Sequence, residues 1–401
     1  MCRIAFTHAD LITTNRIIKD ADVVVENGKL VSVGGRVDPA CFDGRIIDAT
    51  GLYLAPGFID IHTHGGGGCD FMDGTEDAFI TACVTHAQHG TTALLPTTLA
   101  GADDELCHTF DVYHQAQKRT YAGARMLGLH LEGPYFSWEY RGAQDERYLK
   151  NPTPEDYERI YAWSGGSIIR WSAAPELPGA DTFGNFLREK GILGSIAHTA
   201  ATYEQVLSAY ENGFQMITHL YSGMSTITRK LGFRIPGVVE SAYLIDGMKS
   251  ELIADGCHLP PALLKLAYKG IGVQNLILVT DSMRGAGMAE GPSILGSLQN
   301  GQPAIIRDGV AYLPDFTAFA GSVCTTDRLV RTMVKQADVP LCDAVRMITR
   351  NPAEAIGVGA HKGCLASGMD ADIVLFDDNI NVKLTMVEGT IVYDQIKRSE
   401  A

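Results

Sequence analysis

Between positions 57 and 279 the sequence holds eight short apolar runs, most of them followed by stretches with helical patterning. They are Gly57-Phe-Ile-Asp-Ile61, Ala93-Leu-Leu95, Met126-Leu-Gly-Leu-His-Leu131, Ile168-Ile169, Gly194-Ser-Ile-Ala197, Gln215-Met-Ile217, Glu251-Leu-Ile-Ala254 and Leu276-Ile-Leu-Val279. Parallel strands are covered on both faces, so they read as continuous apolar runs rather than alternating ones. A spacing of roughly 20–40 residues suits strand–helix units, and eight such units closed into a ring make a (β/α)8 barrel.

The two ends read differently. In Asp22 to Gly34 a β-branched run, Val23 to Val25, is followed by Glu26-Asn27-Gly28 and a second strand, Lys29 to Val33. Asn-Gly between two such runs is a hairpin signal, because both turn residues tolerate positive φ. Asp372 to Phe376, Val382 to Val387 and Thr390 to Tyr393 are also strand-like, with a turn at Glu388-Gly389. Both ends are β-rich, so the expectation is one small β-sandwich domain built from residues 1–53 and 358–401, with the barrel, 54–357, inserted between them. A length of 401 residues accommodates a barrel plus one smaller domain.

Charge narrows the function. Lys+Arg is 33 and Asp+Glu is 47, giving a net charge of −14. Such a chain is ill suited to nucleic acid or to an anionic membrane surface. No apolar run reaches membrane-spanning length, and Met1 to Asp10 lacks a basic segment followed by an apolar one. The 9 cysteines form no CxxC pair, as expected of reduced thiols in a cytoplasmic protein. An anionic small molecule remains possible where cations are placed locally.

In a barrel, chemistry sits at the C-terminal ends of the strands. His62 and His64, Glu132, His198, His219, His258 and Asp281 each follow an apolar run. His62 and His64 are two apart and so face the same way along a strand. Alone they are either two hydrogen-bonded histidines or a pair sharing a divalent ion. Combined with Glu132, His198 and His219 they point to a metal. Gly65 to Gly68 lets the backbone approach that centre. Asp281 is either a cap for the next loop or a general base beside a bound water. His130 lies one layer below Glu132, as a supporting partner or as core. His86, His89, His108 and His114 fall in polar helical stretches and are expected at the surface. Ser225 to Gly237 holds Arg229, Lys230 and Arg234. It is either a solvated loop or an anion clamp, with Arg234, beside Pro236-Gly237, as the anchoring residue. Arg284 is a second candidate.

Several runs match a known family. Pro56-Gly-Phe-Ile-Asp-Ile-His-Thr-His-Gly65, Gly128-Leu-His-Leu-Glu-Gly-Pro134, Thr218-His-Leu-Tyr221, Ile253-Ala-Asp-Gly-Cys-His258, Val279-Thr-Asp281 and Asn351-Pro-Ala-Glu-Ala-Ile-Gly357 resemble the N-acetylglucosamine-6-phosphate deacetylases of the amidohydrolase superfamily. The resemblance implies a metal held by Glu132, His198 and His219, with His62 and His64 matching members that hold a second ion. It implies Asp281 as acid/base and His258 as a substrate contact. It further implies a homodimer whose site is completed across the subunit interface, with Arg234 as the phosphate arginine. Three positions depart from the family pattern: Ser222 and Gly223 replace Asn-Ala, and Gln144 stands where many members carry His. All three belong to the expected substrate side. The expected activity is hydrolysis of the acetamide of N-acetylglucosamine 6-phosphate. The alternatives are the galacto isomer, another metal-dependent amidohydrolase, or a catalytically silent metal-binding scaffold. The expected cofactor is one or two divalent ions, with Zn, Fe, Mn, Co and Ni not distinguished.

Overall fold

All eight apolar runs form strands in the computed structural model, which describes residues 3–396. They are β1 (Phe58–Thr63), β2 (Thr91–Thr98), β3 (Leu129–Glu132), β4 (Ile168–Ala173), β5 (Leu193–Ile196), β6 (Phe214–Ile217), β7 (Lys249–Ile253) and β8 (Leu276–Val279). Each is parallel to the next. The ring closes just beyond β8: the Asp281 amide donates to His62 O at 2.9 Å and the His64 amide donates to Ser282 O at 2.8 Å.

Helices follow the strands and start where the sequence supplies caps. Thr153 caps the helix Pro154–Trp163, which has proline at its start, and Thr202 with Gln205 forms a capping box for Tyr203–Glu211. The largest apolar cluster lies between strands and helices. Phe183, from the helix Ala180–Lys190, packs edge-on against Tyr135 and Trp171, with ring centroids 5.1 Å away in each case.

The chain ends form a separate 8-stranded sheet. Tyr53–Pro56 pairs antiparallel with Ile373–Phe376, which joins the two ends across the barrel insertion. The sheet therefore takes in Pro56, across the expected boundary at residue 53. Phe6, Leu11, Val23, Leu30, Leu54 and Leu375 belong to its own core. The expected hairpin is present, with Asn27 at φ 50° and Gly28 at φ 79°. Cys2 lies outside the described residues.

Three further sheets have no counterpart in the expectations above, the smallest a short ladder of Gly65–Gly66 with Cys69–Asp70. After β8 comes a 4-stranded antiparallel sheet of Gly291–Leu295, Gln302–Arg307, Val310–Tyr312 and Phe319–Ser322. The basic stretch after His219 is a hairpin, Thr228–Lys230 with Phe233–Ile235. Among the described residues no helix is long and apolar enough to cross a membrane.

Candidate metal centre

Glu132 ends β3 with its carboxylate buried among four imidazoles. Its Oε1 lies 3.0 Å from His219 Nε2, 3.4 Å from His198 Nε2 and 3.5 Å from His62 Nε2. Its Oε2 lies 3.4 Å from His64 Nε2. Asp281 Oδ1 faces the same pair, 3.3 Å from His62 Nε2 and 3.2 Å from His64 Nε2. Glu132 is thus shared between two groups able to hold an ion, His62–His64–Glu132 and Glu132–His198–His219.

The backbone that aims these groups is unusual. His198, His219 and Asp281 each stand two residues beyond β5, β6 and β8, at φ 45°, 27° and 45°. Non-glycine residues seldom adopt positive φ, and each such residue costs roughly 1–3 kcal/mol. Three of them around one centre mean that the surrounding bonds hold the strain in place.

Hydrogen bonds set the ring orientations. His198 Nδ1 donates to Tyr140 O at 2.9 Å, and His62 Nδ1 donates to Glu251 Oε2 at 3.2 Å. Each bond leaves the Nε2 lone pair facing the centre. His62 Nε2 is buried without a hydrogen-bond partner, and His198 Nε2 and His219 Nε2 stand 3.2 Å apart. Atoms bound tetrahedrally at ~2.0–2.1 Å from one ion lie about 3.3 Å from one another. The separations of 3.0 to 3.5 Å around Glu132 fit that spacing.

The electrostatics also call for positive charge. Burial lowers the pKa of His62, but Asp281, Glu132 and Glu251 outweigh it and hold the pKa well above 6.5. Burial likewise opposes His64, whose bonds to Asp281 and Glu132 bring it to about 9. Burial would raise Asp281, yet His62 and His64 pull it down to about 2. With both carboxylates ionised, protons or a metal cation must neutralise them.

A cavity of about 190 Å³ opens on this centre and is lined in part by His258, Ser222, Gly223, Gln144 and Asp281. His258 Nδ1 donates to Asp255 Oδ2 at 2.8 Å and its ring packs on Phe319 at 4.7 Å. Gln144 is engaged elsewhere: its Nε2 donates to Glu132 Oε2 at 2.8 Å, and its Oε1 accepts from the Ala100 amide at 2.9 Å. In this chain it steadies the Glu132 carboxylate. Gly223, at φ 57°, is needed for close approach, since a Cβ there would lie 2.7 Å from His198 Nδ1.

The basic residues lie elsewhere. Arg229, Lys230 and Arg234 are exposed on the hairpin and do not line the cavity of their own chain. Arg284 is buried, bonded to Asp73, Gly68 O, Ile294 O and Gly296 O, and is not free for an anion. Among the described residues, no Lys or Arg lines the cavity.

The supporting layer was only partly foreseen. His130 lies under His62, centroids 4.6 Å apart, and bonds Thr97 and Ser172. His86 is fully buried rather than at the surface, with Nε2 2.9 Å from Gly65 O. His89 and His114 are half-buried and His108 is exposed. Arg170 and Glu251, inside β4 and β7, are absent from the sequence expectations. A charged residue within an apolar run was the available signal.

A closed parallel barrel with imidazoles and carboxylates gathered at its strand ends, beside a β domain made from both termini, defines the class of metal-dependent hydrolase barrels. The chain belongs to the amidohydrolase family, whose model matches residues 53–392. It is similar over nearly its whole length to the N-acetylglucosamine-6-phosphate deacetylase of Lysinibacillus sphaericus, at 33% identity over 92% of each chain. It is 30% identical to the N-acetylgalactosamine-6-phosphate deacetylase of Escherichia coli O157:H7, over 84% of this chain and 87% of that one. Among solved structures it is similar to a mutant N-acetyl-D-glucosamine-6-phosphate deacetylase of Mycobacterium smegmatis in complex with N-acetyl-D-glucosamine-6-phosphate. That likeness has a TM-score of 0.89 and 29% identity, covering 98% of this chain and 100% of the other.

The contact at Gly223 gives a direct test. Gly223→Ala puts a methyl group against His198 and strains a left-handed backbone position. The purified variant should retain clearly less divalent metal than the wild type by elemental analysis. Full metal content and full activity would show that the His198 ring has room to give.

Proposed function

We propose that this chain hydrolyses the acetamide of N-acetylglucosamine 6-phosphate to glucosamine 6-phosphate and acetate. The observation that carries the reading is Asp281, a buried carboxylate facing His62 and His64 at the floor of a cavity that also exposes Glu132, His198 and His219. Similarity along nearly the full chain to deacetylases of this sugar phosphate supports it.

Glu132, His198 and His219 would hold one divalent ion, and His62 and His64 with Glu132 a second. When bound, such an ion polarises a carbonyl and lowers the pKa of water. Asp281 takes the proton from the attacking water and delivers it to the departing amine nitrogen. His258, fixed through Nδ1 by Asp255, presents Nε2 to the substrate. Ser222 and Gly223 form the wall beside His198.

The phosphate needs a cation that the cavity of one chain lacks. The hairpin carrying Arg234 also exposes Leu231 (93%) and Phe233 (75%), a surface suited to a second copy. The proposed assembly is a homodimer in which Arg234 of the partner subunit grips the phosphate. A cytoplasmic location goes with this reading, because a phosphorylated sugar formed in the cytoplasm does not diffuse out across a membrane. The galacto isomer is the second reading: one relative is an N-acetylgalactosamine-6-phosphate deacetylase, and Ser222-Gly223 departs from the family pattern on the substrate side.

A panel of N-acetylated hexosamines, with and without 6-phosphate and with added divalent metal, tests the proposal. N-acetylglucosamine 6-phosphate should give the highest kcat/KM. Faster turnover of the galacto isomer or of an unphosphorylated sugar would reassign the substrate. Asp281→Asn should lower kcat by ~10²–10⁴-fold or more while metal and substrate still bind. Near-normal kcat would remove Asp281 from the mechanism. Arg234→Ala should raise KM for the phosphorylated sugar, a loss of about 1.5–3 kcal/mol in binding, and leave the unphosphorylated sugar unaffected. Equal losses on both sugars would make Arg234 structural.

A further inference from the structure

The barrel interior holds a charge pair that the reaction does not require. Arg170 in β4 and Glu251 in β7 are both fully buried, in strands whose other buried side chains are apolar or small. Arg170 Nη1 donates to Glu251 Oε1 and, at 2.9 Å, to Ile61 O. Its Nη2 donates to Thr218 Oγ1 at 3.1 Å and its Nε to Ser195 Oγ at 3.1 Å. The guanidinium thus ties β4 to β1, β5, β7 and the residue after β6. A buried ion pair is weak evidence for stability, since an apolar replacement is often as stable. Its other bonds matter more.

The second oxygen of Glu251 reaches both halves of the candidate centre. Oε2 accepts from His62 Nδ1 at 3.2 Å and from the His219 amide at 3.1 Å. Among the four imidazoles, His62 alone is backed by a carboxylate. His198 Nδ1 rests on a main-chain carbonyl, and Nδ1 of His64 and of His219 has no hydrogen-bond partner. A carboxylate behind an imidazole fixes its tautomer and makes it a more basic ligand. Here it turns the unpartnered Nε2 of His62 toward Glu132 and Asp281.

We infer that Glu251, anchored by Arg170, is the positioning residue of the His62–His64 half, and that this buried pair determines whether that half binds an ion. The inference rests on the metal centre proposed above and assigns its second ion to a specific support.

Two variants test it. Glu251→Gln keeps the shape but leaves Arg170 buried without its counter-charge, so folding itself is at risk. The double variant Arg170→Met, Glu251→Gln removes both charges together and leaves an amide oxygen for His62. Wild type, both variants and a His62→Ala, His64→Ala reference are stripped with chelator. Each is then titrated with zinc or cobalt, with ions per chain counted by elemental analysis and folding checked by circular dichroism. The wild type should take two ions. The folded double variant should bind one ion ~10–100-fold more weakly, the usual effect of losing a supporting partner, and the other with a clearly smaller loss, since only the main-chain amide of His219, and not its ring, rests on Glu251. The more weakened ion should be the one missing from the His62–His64 reference. A folded double variant that binds both ions with wild-type affinity would overturn the inference and leave the pair a purely structural one. A wild type that takes only one ion would overturn it as well. Failure of the proposed function shows separately, as a wild type with two ions that leaves every sugar in the panel intact.

Discussion

The Glu132 carboxylate organises the site. A buried carboxylate is costly unless it is paired and hydrogen-bonded. Here the partners come from the ends of four other strands: His62 and His64 from β1, His198 after β5, His219 after β6 and, through those histidines, Asp281 after β8. Gln144 satisfies the remaining direction of Oε2 and is itself held by the Ala100 amide. Burial would raise the pKa of Glu132, but His62, His198 and His219 keep it well below 4.5. The acid stays charged, and the rings around it are arranged so that they could share a cation with it.

Barrel closure and site geometry use the same atoms. The bonds from the Asp281 amide to His62 O and from the His64 amide to Ser282 O join β1 to the end of β8. Displacing that seam would move His62, His64 and Asp281 together. A small polar knot lies beside it: Thr63 Oγ1 is 3.0 Å from Ser282 Oγ and 3.2 Å from His86 Nε2. Burial pushes His86 down to about 4, so its ring is neutral and adds no competing charge next to the candidate metal centre. Gly65 is required here, because a Cβ would lie 2.1 Å from Cys69 O.

What could be read in advance follows from where the signal lies along the chain. The five histidine and glutamate ligand candidates each interrupt an apolar run at a strand end, so a local pattern finds them. Gln144, Arg170 and Glu251 act through partners far away in sequence and near only once the barrel closes. No periodicity indicates that position 170 faces position 251. The two hairpins show the same contrast. Asn27-Gly28 announces its turn with residues that tolerate positive φ. The second hairpin turns at Leu231 and Gly232, φ 51° and 85°, and a leucine there hides the signal. The stretch therefore reads as a loop.

That second hairpin carries a further constraint. Arg229 and Arg234 are direct cross-strand partners and so point to the same side. Like charges placed opposite each other destabilise a sheet pair. Neither arginine has an ion-pair partner among the described residues, although acidic residues outnumber basic ones, 47 to 33. An exposed two-stranded ribbon has little packing to offset such repulsion. A dianionic phosphate between the two guanidiniums would reverse the sign of the interaction. The exposed Leu231 and Phe233 would also lose their contact with water if the ribbon lay against a second copy. In the proposed homodimer both unfavourable features of the hairpin would be relieved by one event, its docking over the cavity of a partner subunit that holds a phosphorylated sugar. In the proposed dimer, the acidic cavity and the basic ribbon are two halves of one binding site, and neither chain contains both halves in working contact.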